Sequence, residues 1–220
     1  MSAFLIYNGL KGLKITPYTI GGIIMFIFGL LYIKLYKLLD RKVGAIEGKI
    51  KKKLNCFEIG KEGEEIVAKE LQNILKDGRI IRNFTLPEAN FDFDIIAISS
   101  KGLFLFEVKN AKKQLIFDPD GFYVSNGNKL IPLPKEDDPR RQLTKQYYDL
   151  KEYLKSKGYE NIKIFNAVVF AKKFSADIQR NAGTIVIVGT EYLKKRIDQM
   201  PDDPMFNPEF INKLASIFAK

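Results

Sequence analysis

The chain has 220 residues, of which 46% are hydrophobic and 12% aromatic, so it can build one ordinary domain with a packed core plus an appendage. Histidine is absent and cysteine occurs once, which excludes a disulfide framework, a Cys/His zinc site and any mechanism that needs a histidine base. The net charge of +10 is uneven, because residues 1–53 hold ten Lys or Arg and two acids, whereas residues 54–220 hold 26 and 24. Acids, bases and metal ligands must therefore come from Asp, Glu, Lys, Tyr or backbone groups.

The first element in chain order is a long apolar segment near the N-terminus. Ile15–Ile33, ITPYTIGGIIMFIFGLLYI, contains nineteen residues without one charge. At a helical rise of about 1.5 Å per residue this run just spans a hydrocarbon layer of roughly 30 Å, which predicts a transmembrane helix over 15–36 after a short tail, 1–14. A buried core helix is the alternative. A cleaved signal peptide fits less well, because the run is long and no small-residue cleavage site follows it.

Basic residues crowd the C-terminal side of this segment and predict its orientation. Eight Lys or Arg lie between Lys34 and Lys53, against two on the N-terminal side. The positive-inside rule then puts the bulk of the chain in the cytoplasm. The sequence thus predicts a single-pass protein of the cell membrane that contacts the lipid bilayer through 15–36, with a basic juxtamembrane linker at 37–56 and a cytoplasmic domain at 57–220.

The domain at 57–220 alternates helices and strands. Periodicity and turn residues predict, in order, a helix at about 63–76, a strand at about 79–86, two strands within 91–110, a polar hairpin around 121–127, a helix at about 139–155, strands at about 162–170 and 184–188, and two short helices. Several strands are apolar on both faces, which indicates a central sheet covered by helices on each side. The predicted fold class is therefore α/β.

The stretch FDFDIIAISSKGLFLFEVKN, residues 91–110, places charges at the ends of two apolar strands. For a turn of two residues or of four, Asp94 faces Glu107, with Cβ atoms about 4.5–5.5 Å apart. Lys109 lies on the same face, because side chains alternate along a strand. Two neighbouring carboxylates repel each other unless a cation sits between them, and a divalent metal such as Mg²⁺ is the natural candidate.

Two helices are predicted to bring further polar groups to this place. The apolar stripe of the first helix, extended backwards, reaches Glu64, whereas Glu65 is predicted to face solvent. In the later helix Gln142 lies at the border of the buried stripe, where its amide can donate and accept hydrogen bonds. Four residues form that stripe: Leu143, Tyr147, Leu150 and Leu154.

Each of these features has a purely structural alternative. A Glu-x-Lys pair on a strand is usually a solvated ion pair, and Asp94 could belong to a turn. Glu64 could favour the positive end of a helix, and Gln142 could be an ordinary surface residue. Two carboxylates and a lysine converge in one predicted place, on strands too apolar to face solvent, and this convergence favours a functional site.

The same residues resemble those of a known family. The motif GKEGEE at the start of the first helix, DIIAISSKGLFLFEVKN with its thirteen-residue step from Asp94 to Glu107, and DPRRQ opening the later helix are similar to the nuclease-related domain, or NERD, family. This family is a branch of the PD-(D/E)xK nucleases, which have a restriction-endonuclease-like mixed central sheet flanked by helices. The resemblance covers about residues 57–155 well. Its members often carry an N-terminal transmembrane helix. One departure is Ile95, where the family often has histidine.

The resemblance implies a role for each candidate residue. Asp94 and Glu107 would ligate Mg²⁺ or Mn²⁺, with the backbone carbonyl of Val108 as a further ligand. Lys109 would orient the attacking water and offset charge in the transition state, and Glu64 would help to fix the metal or its water shell. Two residues are expected to bind substrate: Gln142 and Asn110.

These expectations lead to one main hypothesis and two alternatives. The main hypothesis is a membrane-anchored, metal-dependent nuclease that hydrolyses phosphodiester bonds, with DNA as the expected nucleic-acid partner and a homodimer as a possible assembly. A metal held by two carboxylates can supply a nucleophilic water and an electrophile without any histidine. The first alternative is a catalytically inactive, membrane-tethered module of the same fold that binds nucleic acid or protein. The second is a membrane-bound structural protein whose charged residues only bridge strands.

Overall fold

The computed structural model describes six stretches of the chain: residues 17–86, 91–110, 115–118, 121–126, 129–172 and 186–219. The chain divides into two compact units, Met1–Asn55 and Cys56–Lys220. The predicted tail at 1–14 and the first two residues of the predicted transmembrane helix lie outside the described residues.

The N-terminal apolar segment belongs to a long helix, α1, which spans Pro17–Ile74. By length and composition this helix can cross a membrane, and its apolar window is fully exposed. The basic segment 37–56 is helical throughout. The prediction of a separate helix that begins at about residue 63 is therefore wrong, because α1 runs through this position without interruption. A glycine inside a helix costs only about 1 kcal/mol relative to alanine, which neighbouring turns can offset.

The C-terminal unit contains eight strands, three further α-helices and one 3-10 turn among the described residues. They are β1 (Arg79–Thr85), β2 (Asp92–Ser99), β3 (Gly102–Lys109), β4 (Leu115–Asp118), β5 (Gly121–Asn126), β6 (Lys129–Pro132), the 3-10 turn Lys135–Asp137, α2 (Pro139–Ser156), β7 (Ile164–Phe170), β8 (Val186–Gly189), α3 (Thr190–Asp198) and α4 (Pro208–Ser216).

Five strands form the central sheet in the order β1-β2-β3-β7-β8. The first three pair antiparallel, and β3, β7 and β8 pair parallel. The crossover from β3 to β7 contains α2, as parallel pairing requires a long connection. The sheet is thus mixed and flanked by helices, which confirms the predicted fold class.

The sheet buries apolar side chains on both faces. On one face, β2 and β3 side chains pack with α2 and α4 through Leu143, Leu150 and Leu214. On the other face, alternate side chains of the same strands pack with α1 and α3 through Leu71 and Leu193. Because both faces are covered, β2 and β3 read as nearly continuous apolar runs.

The polar hairpin predicted after the sheet forms a second, three-stranded sheet in the order β4-β5-β6. Gly127, part of its predicted second turn, and Thr184, the predicted start of β8, lie outside the described residues.

The turn between β2 and β3 has two residues, Ser100 and Lys101, because Ser99 pairs with Gly102. Gly102 has a φ of +123°, a conformation that side chains rarely adopt, so glycine is required at this position. The register then pairs Ile98 with Leu103 and Ile95 with Phe106. It is the register that the sequence predicts.

Candidate active site

The acidic pair lies where β2 begins and β3 ends. Ile96 on β2 and Leu105 on β3 pack in the core on the α2 side of the sheet. Glu107 points to the α2 side, where Gln146 of that helix donates a hydrogen bond to it. Asp94 directly precedes Ile95, which pairs with Phe106, and the charge of Asp94 acts on Glu107. The two carboxyl groups are therefore neighbours at this end of the sheet.

Asp94 is held by the backbone of β3. Its Oδ2 accepts a hydrogen bond of 2.7 Å from the backbone N–H of Val108. Burial raises the pKa of Asp94, while that hydrogen bond and the charge of Lys109 act in the opposite direction. The backbone of Val108, whose carbonyl is a predicted ligand, thus runs directly beside Asp94.

Glu107 is the most deeply buried charged group of the site, with 1% of its surface exposed. Its Oε1 lies 2.5 Å from Nζ of Lys109, and its Oε2 accepts a hydrogen bond of 3.0 Å from Nε2 of Gln146. Burial, together with the charge of Asp94, raises the pKa of Glu107 from 4.5 to about 7. The carboxyl group therefore changes protonation state near neutral pH.

Lys109 links the strand to helix α2. Its side chain is 30% exposed, and its Nζ donates to Oε1 of Gln142 at 3.0 Å as well as to Glu107. Gln142 is itself exposed. Gln142, expected to bind substrate, thus lies at the site and accepts a hydrogen bond from its lysine.

Gln146 is the site residue that the sequence reasoning missed. It is 1% exposed, and its Nε2 lies 3.0 Å from Glu107 and 3.5 Å from the backbone carbonyl of Asp92. A signal was available, because Gln146 stands three residues after Leu143 and four before Leu150, and these spacings share one helix face. The apolar pattern predicts Tyr147 in the buried stripe, whereas Gln146 is the more deeply buried of the two.

Glu64 reaches the site region from α1. Its Oε2 is buried and has no hydrogen-bond partner among the described residues. Burial raises its pKa, and the charge of Asp94 adds to the effect, while Arg82 lowers it. Its neighbour Glu65 is 46% exposed and pairs with Arg82 at 2.5 Å. Glu64 therefore lies toward the site region, whereas Glu65, predicted to face solvent, is partly exposed and pairs with Arg82 of β1.

Asn110, expected to bind substrate, contacts the chain itself. Its Nδ2 donates to the backbone carbonyl of Ile59 at 2.7 Å, and its Oδ1 is buried with no partner among the described residues. A Cβ placed on Gly63 would lie 2.5 Å from Cβ of Asn110 and 3.3 Å from Cβ of Ala171. The glycine thus allows α1 to approach the ends of β3 and β7, and this contact positions Glu64.

The site concentrates uncompensated negative charge. Burial raises the pKa values of three carboxyl groups, Glu64, Asp94 and Glu107, and the charge of Asp94 raises those of Glu64 and Glu107 further, while Lys109 is the cation in direct contact with Glu107. Within the described stretches no group of three or more Asp, Glu, Cys or His side chains lies close enough to hold a metal ion. Asp94 and Glu107 are the two acids that lie next to each other. Their hard oxygen atoms are the donors that Mg²⁺ and Mn²⁺ prefer.

Comparison with known proteins adds one finding. The family model described as nuclease-related domain, NERD, matches residues 59–171. No curated protein and no solved structure matches the chain significantly. The matched range begins within α1 and ends just after β7, so it contains every residue of the candidate site.

Proposed function

The chain belongs to the nuclease-related domain family, and we propose from this premise that it is a metal-dependent nuclease that hydrolyses phosphodiester bonds, with DNA as the expected substrate. One observation carries the proposal: the buried carboxylate of Glu107, the partly buried carboxylate of Asp94 and the ammonium group of Lys109 share one end of two otherwise apolar strands. Burying these charges is unfavourable for folding, so their presence requires another reason. A nuclease site that uses no histidine provides one.

The residues present fit a divalent cation. Asp94 and Glu107 would hold it, and the carbonyl of Val108 would be a third donor. Glu64, whose buried Oε2 has no partner among the described residues, would accept hydrogen bonds from the water shell of the ion. When bound, Mg²⁺ or Mn²⁺ supplies a Lewis acid and lowers the pKa of a coordinated water.

The other side chains have roles that their contacts support. Lys109 can approach the scissile phosphate because its side chain is partly exposed, and its ammonium group would offset the charge that develops on the phosphate. Gln142 accepts a hydrogen bond from Lys109 and is exposed, so it can orient the lysine and contact the nucleic-acid backbone. Gln146 holds Glu107 in the orientation that keeps both carboxylates together.

We also propose that residues 15–36 anchor the protein in the cell membrane as a single span, with the C-terminal domain in the cytoplasm. The supporting facts are the charge-free run and the eight basic residues that follow it. Protease digestion of intact cells and of inverted membrane vesicles tests this orientation. Cleavage of the C-terminal domain in intact cells would contradict it.

The nuclease proposal is tested with the full chain in detergent micelles. Panels of duplex DNA, single-stranded DNA and RNA are incubated with the protein and Mg²⁺, Mn²⁺ or EDTA. We expect cleavage that needs the divalent ion and is lost in Lys109→Ala but retained in Lys151→Ala, which removes an exposed lysine of α2. Equal inactivity of all three proteins on every substrate would overturn the proposal.

A second function, a catalytically inactive module that binds nucleic acid or protein, is favoured by the charge of the C-terminal part. Residues 54–220 carry 26 basic and 24 acidic residues, and proteins that contact many phosphates usually have a clear basic excess. Titration calorimetry with Mn²⁺ separates the two functions. The nuclease requires a saturable site that is lost in Asp94→Asn and kept in Asp77→Asn, whereas the inactive module does not.

A further inference from the structure

Helix α1 exposes apolar side chains well beyond the charge-free run. Between residues 39 and 53 it carries four large apolar residues, each between 51% and 56% exposed: Leu39, Val43, Ile46 and Ile50. The surrounding positions are charged or small. These side chains therefore form one unpartnered apolar stripe on an otherwise polar helix.

The spacing of the stripe is that of a coiled coil. Its steps are four, three and four residues, which place Val43 and Ile50 at heptad positions a, and Leu39 and Ile46 at positions d. Towards the N-terminus the same heptads continue through Tyr36 and Tyr32, which are also exposed. Towards the C-terminus the apolar pattern ends, because the next d position is occupied by Lys53. We call the six residues from Tyr32 to Ile50 on positions a and d the seam.

A partner along the seam would stabilise a helix with this sequence. Gly44 and Gly48 lie inside it, and each lowers helix stability by about 1 kcal/mol relative to alanine. A Cβ placed on either glycine would meet nothing within 4 Å. Exposed helices gain most of their stability from packing of an apolar face, so covering the seam would supply what the glycines remove.

Charges beside the seam indicate what covers it. Both acids of the segment, Asp40 and Glu47, occupy e positions, while Lys42 and Lys49 occupy g positions. In a parallel pair of helices each g position approaches an e position of the second helix, so Lys42 meets Glu47 of the second copy. An antiparallel pair would bring acid to acid and lysine to lysine. The charges thus complement a second copy of the same helix in one orientation.

We propose that the seam docks on the seam of a second copy of this chain, in a parallel two-stranded coiled coil. Val43 and Ile50 at positions a, with Leu39 at a d position, match the pattern of two-stranded coiled coils, whereas Ile46 at a second d position does not. The glycines Gly22 and Gly29 continue the a positions within the apolar segment, where small residues permit close helix approach in lipid. The proposal concerns assembly and does not depend on cleavage of any substrate.

Cysteine cross-linking of the full chain in native membranes tests the seam. The exposed Cys56 is first replaced, Cys56→Ser, so that no other thiol is present. Ile46→Cys on the seam is compared with its neighbour Ala45→Cys, which points away from it. Under mild oxidation we expect at least about fivefold more disulfide-linked dimer from Ile46→Cys than from Ala45→Cys.

A second experiment tests the orientation through charge. In the Ile46→Cys background, Lys42→Glu should reduce the cross-linked fraction because it places two acids together, and adding Glu47→Lys should restore it. Restoration by a second charge reversal separates a specific pairing from general misfolding of the variants.

Other occupants of the seam give different results. If lipid headgroups covered it, Ile46→Cys would not cross-link, and vesicles would protect that thiol from a water-soluble maleimide. Equal cross-linking at residues 45 and 46, or no response to either charge change, would also overturn the proposal.

Discussion

Two regions of the molecule break the usual rule that charged residues are exposed and apolar residues buried. At the site formed by β2 and β3 a charged residue is buried, and along the stripe of α1 apolar residues are exposed. Glu107 is a charged residue with 1% of its surface exposed, whereas Ile46 is a large apolar residue with 56% exposed. Each arrangement is unfavourable for the isolated chain, the first through loss of hydration and the second through contact of apolar surface with water. Each also identifies the missing partner by its chemistry: a cation for the carboxylates, and an apolar helix for the stripe.

The largest effect that this comparison predicts concerns Lys109. Lys109→Ala removes the ammonium group beside the buried carboxylate of Glu107, and we expect the cleavage rate with Mg²⁺ to fall by about 10²–10³-fold, the size typical of a lost group that stabilises transition-state charge. Rates are measured on the best substrate of the panel. A fall in Lys151→Ala of the same size would show that surface charge, and no local site, is responsible.

The next effect is on stability and depends on pH. Because the pKa of Glu107 is raised from 4.5 to about 7 by burial, its contribution to stability is fully present below pH 4.5 and is lost as the pH rises through 7. Glu107→Gln removes this loss, so the variant should be more stable than the wild type at pH 8, by up to about 3 kcal/mol, but not at pH 4.5.

Urea unfolding in EDTA at several pH values measures this difference. Glu152→Gln, an exposed carboxyl of α2, is the control and should follow the wild type at every pH. If the wild type instead gained stability relative to Glu107→Gln between pH 5 and 8, the sign of the prediction would be wrong. Ionisation of the buried Glu107 would then not destabilise the fold.

Two glycines of α1 allow a matched test of how the helix is held against the sheet. Gly63→Ala places a Cβ 2.5 Å from Cβ of Asn110 and should destabilise the protein by about 1–3 kcal/mol through overpacking. Gly60→Ala meets nothing within 4 Å and should stabilise it by about 0.5–1 kcal/mol through helix propensity. Thermal unfolding of both variants checks the opposite signs, and equal signs would mean that Gly63 does not mark a close contact.

The smallest effects separate the two glutamines of α2. Gln146→Ala leaves Oε2 of the buried Glu107 without its donor and should destabilise the protein by about 1–2 kcal/mol. Gln142→Ala, at an exposed position, should change stability by less than about 0.5 kcal/mol while still reducing cleavage. If both variants unfolded alike, the burial of Gln146 would have no energetic consequence.

The sequence predicted the core of the candidate site because its geometry is local. A two-residue turn is enough to predict that Asp94 and Glu107 are neighbours at one end of the strand pair, with Lys109 two residues after Glu107. The direction of Glu64 followed from helical periodicity in the same way. These inferences need only neighbouring residues of one strand pair or one helix.

The contacts between layers were harder to predict. Gln146 was overlooked because a glutamine among leucines reads as a surface residue until the facing strand shows a buried carboxylate. Asn110 was expected to face substrate, and its hydrogen bond to Ile59 joins residues 51 positions apart. The predicted start of the first helix at about residue 63 was wrong, because α1 continues without interruption from Pro17 to Ile74.

Composition and local periodicity by themselves determined the charge-free run, the α/β pattern and the pairing of two carboxylates beside a lysine, because hydropathy, turn length and side-chain alternation act within a few residues. Only the tertiary structure decided that Gln146 holds Glu107, that an oxygen of Glu64 is buried without a described partner, and that Gly63 lets α1 reach the end of the sheet. The reason is that the burial and the pKa of a side chain depend on which surfaces come into contact when helices pack on the sheet. This packing brings together residues that are distant in the sequence.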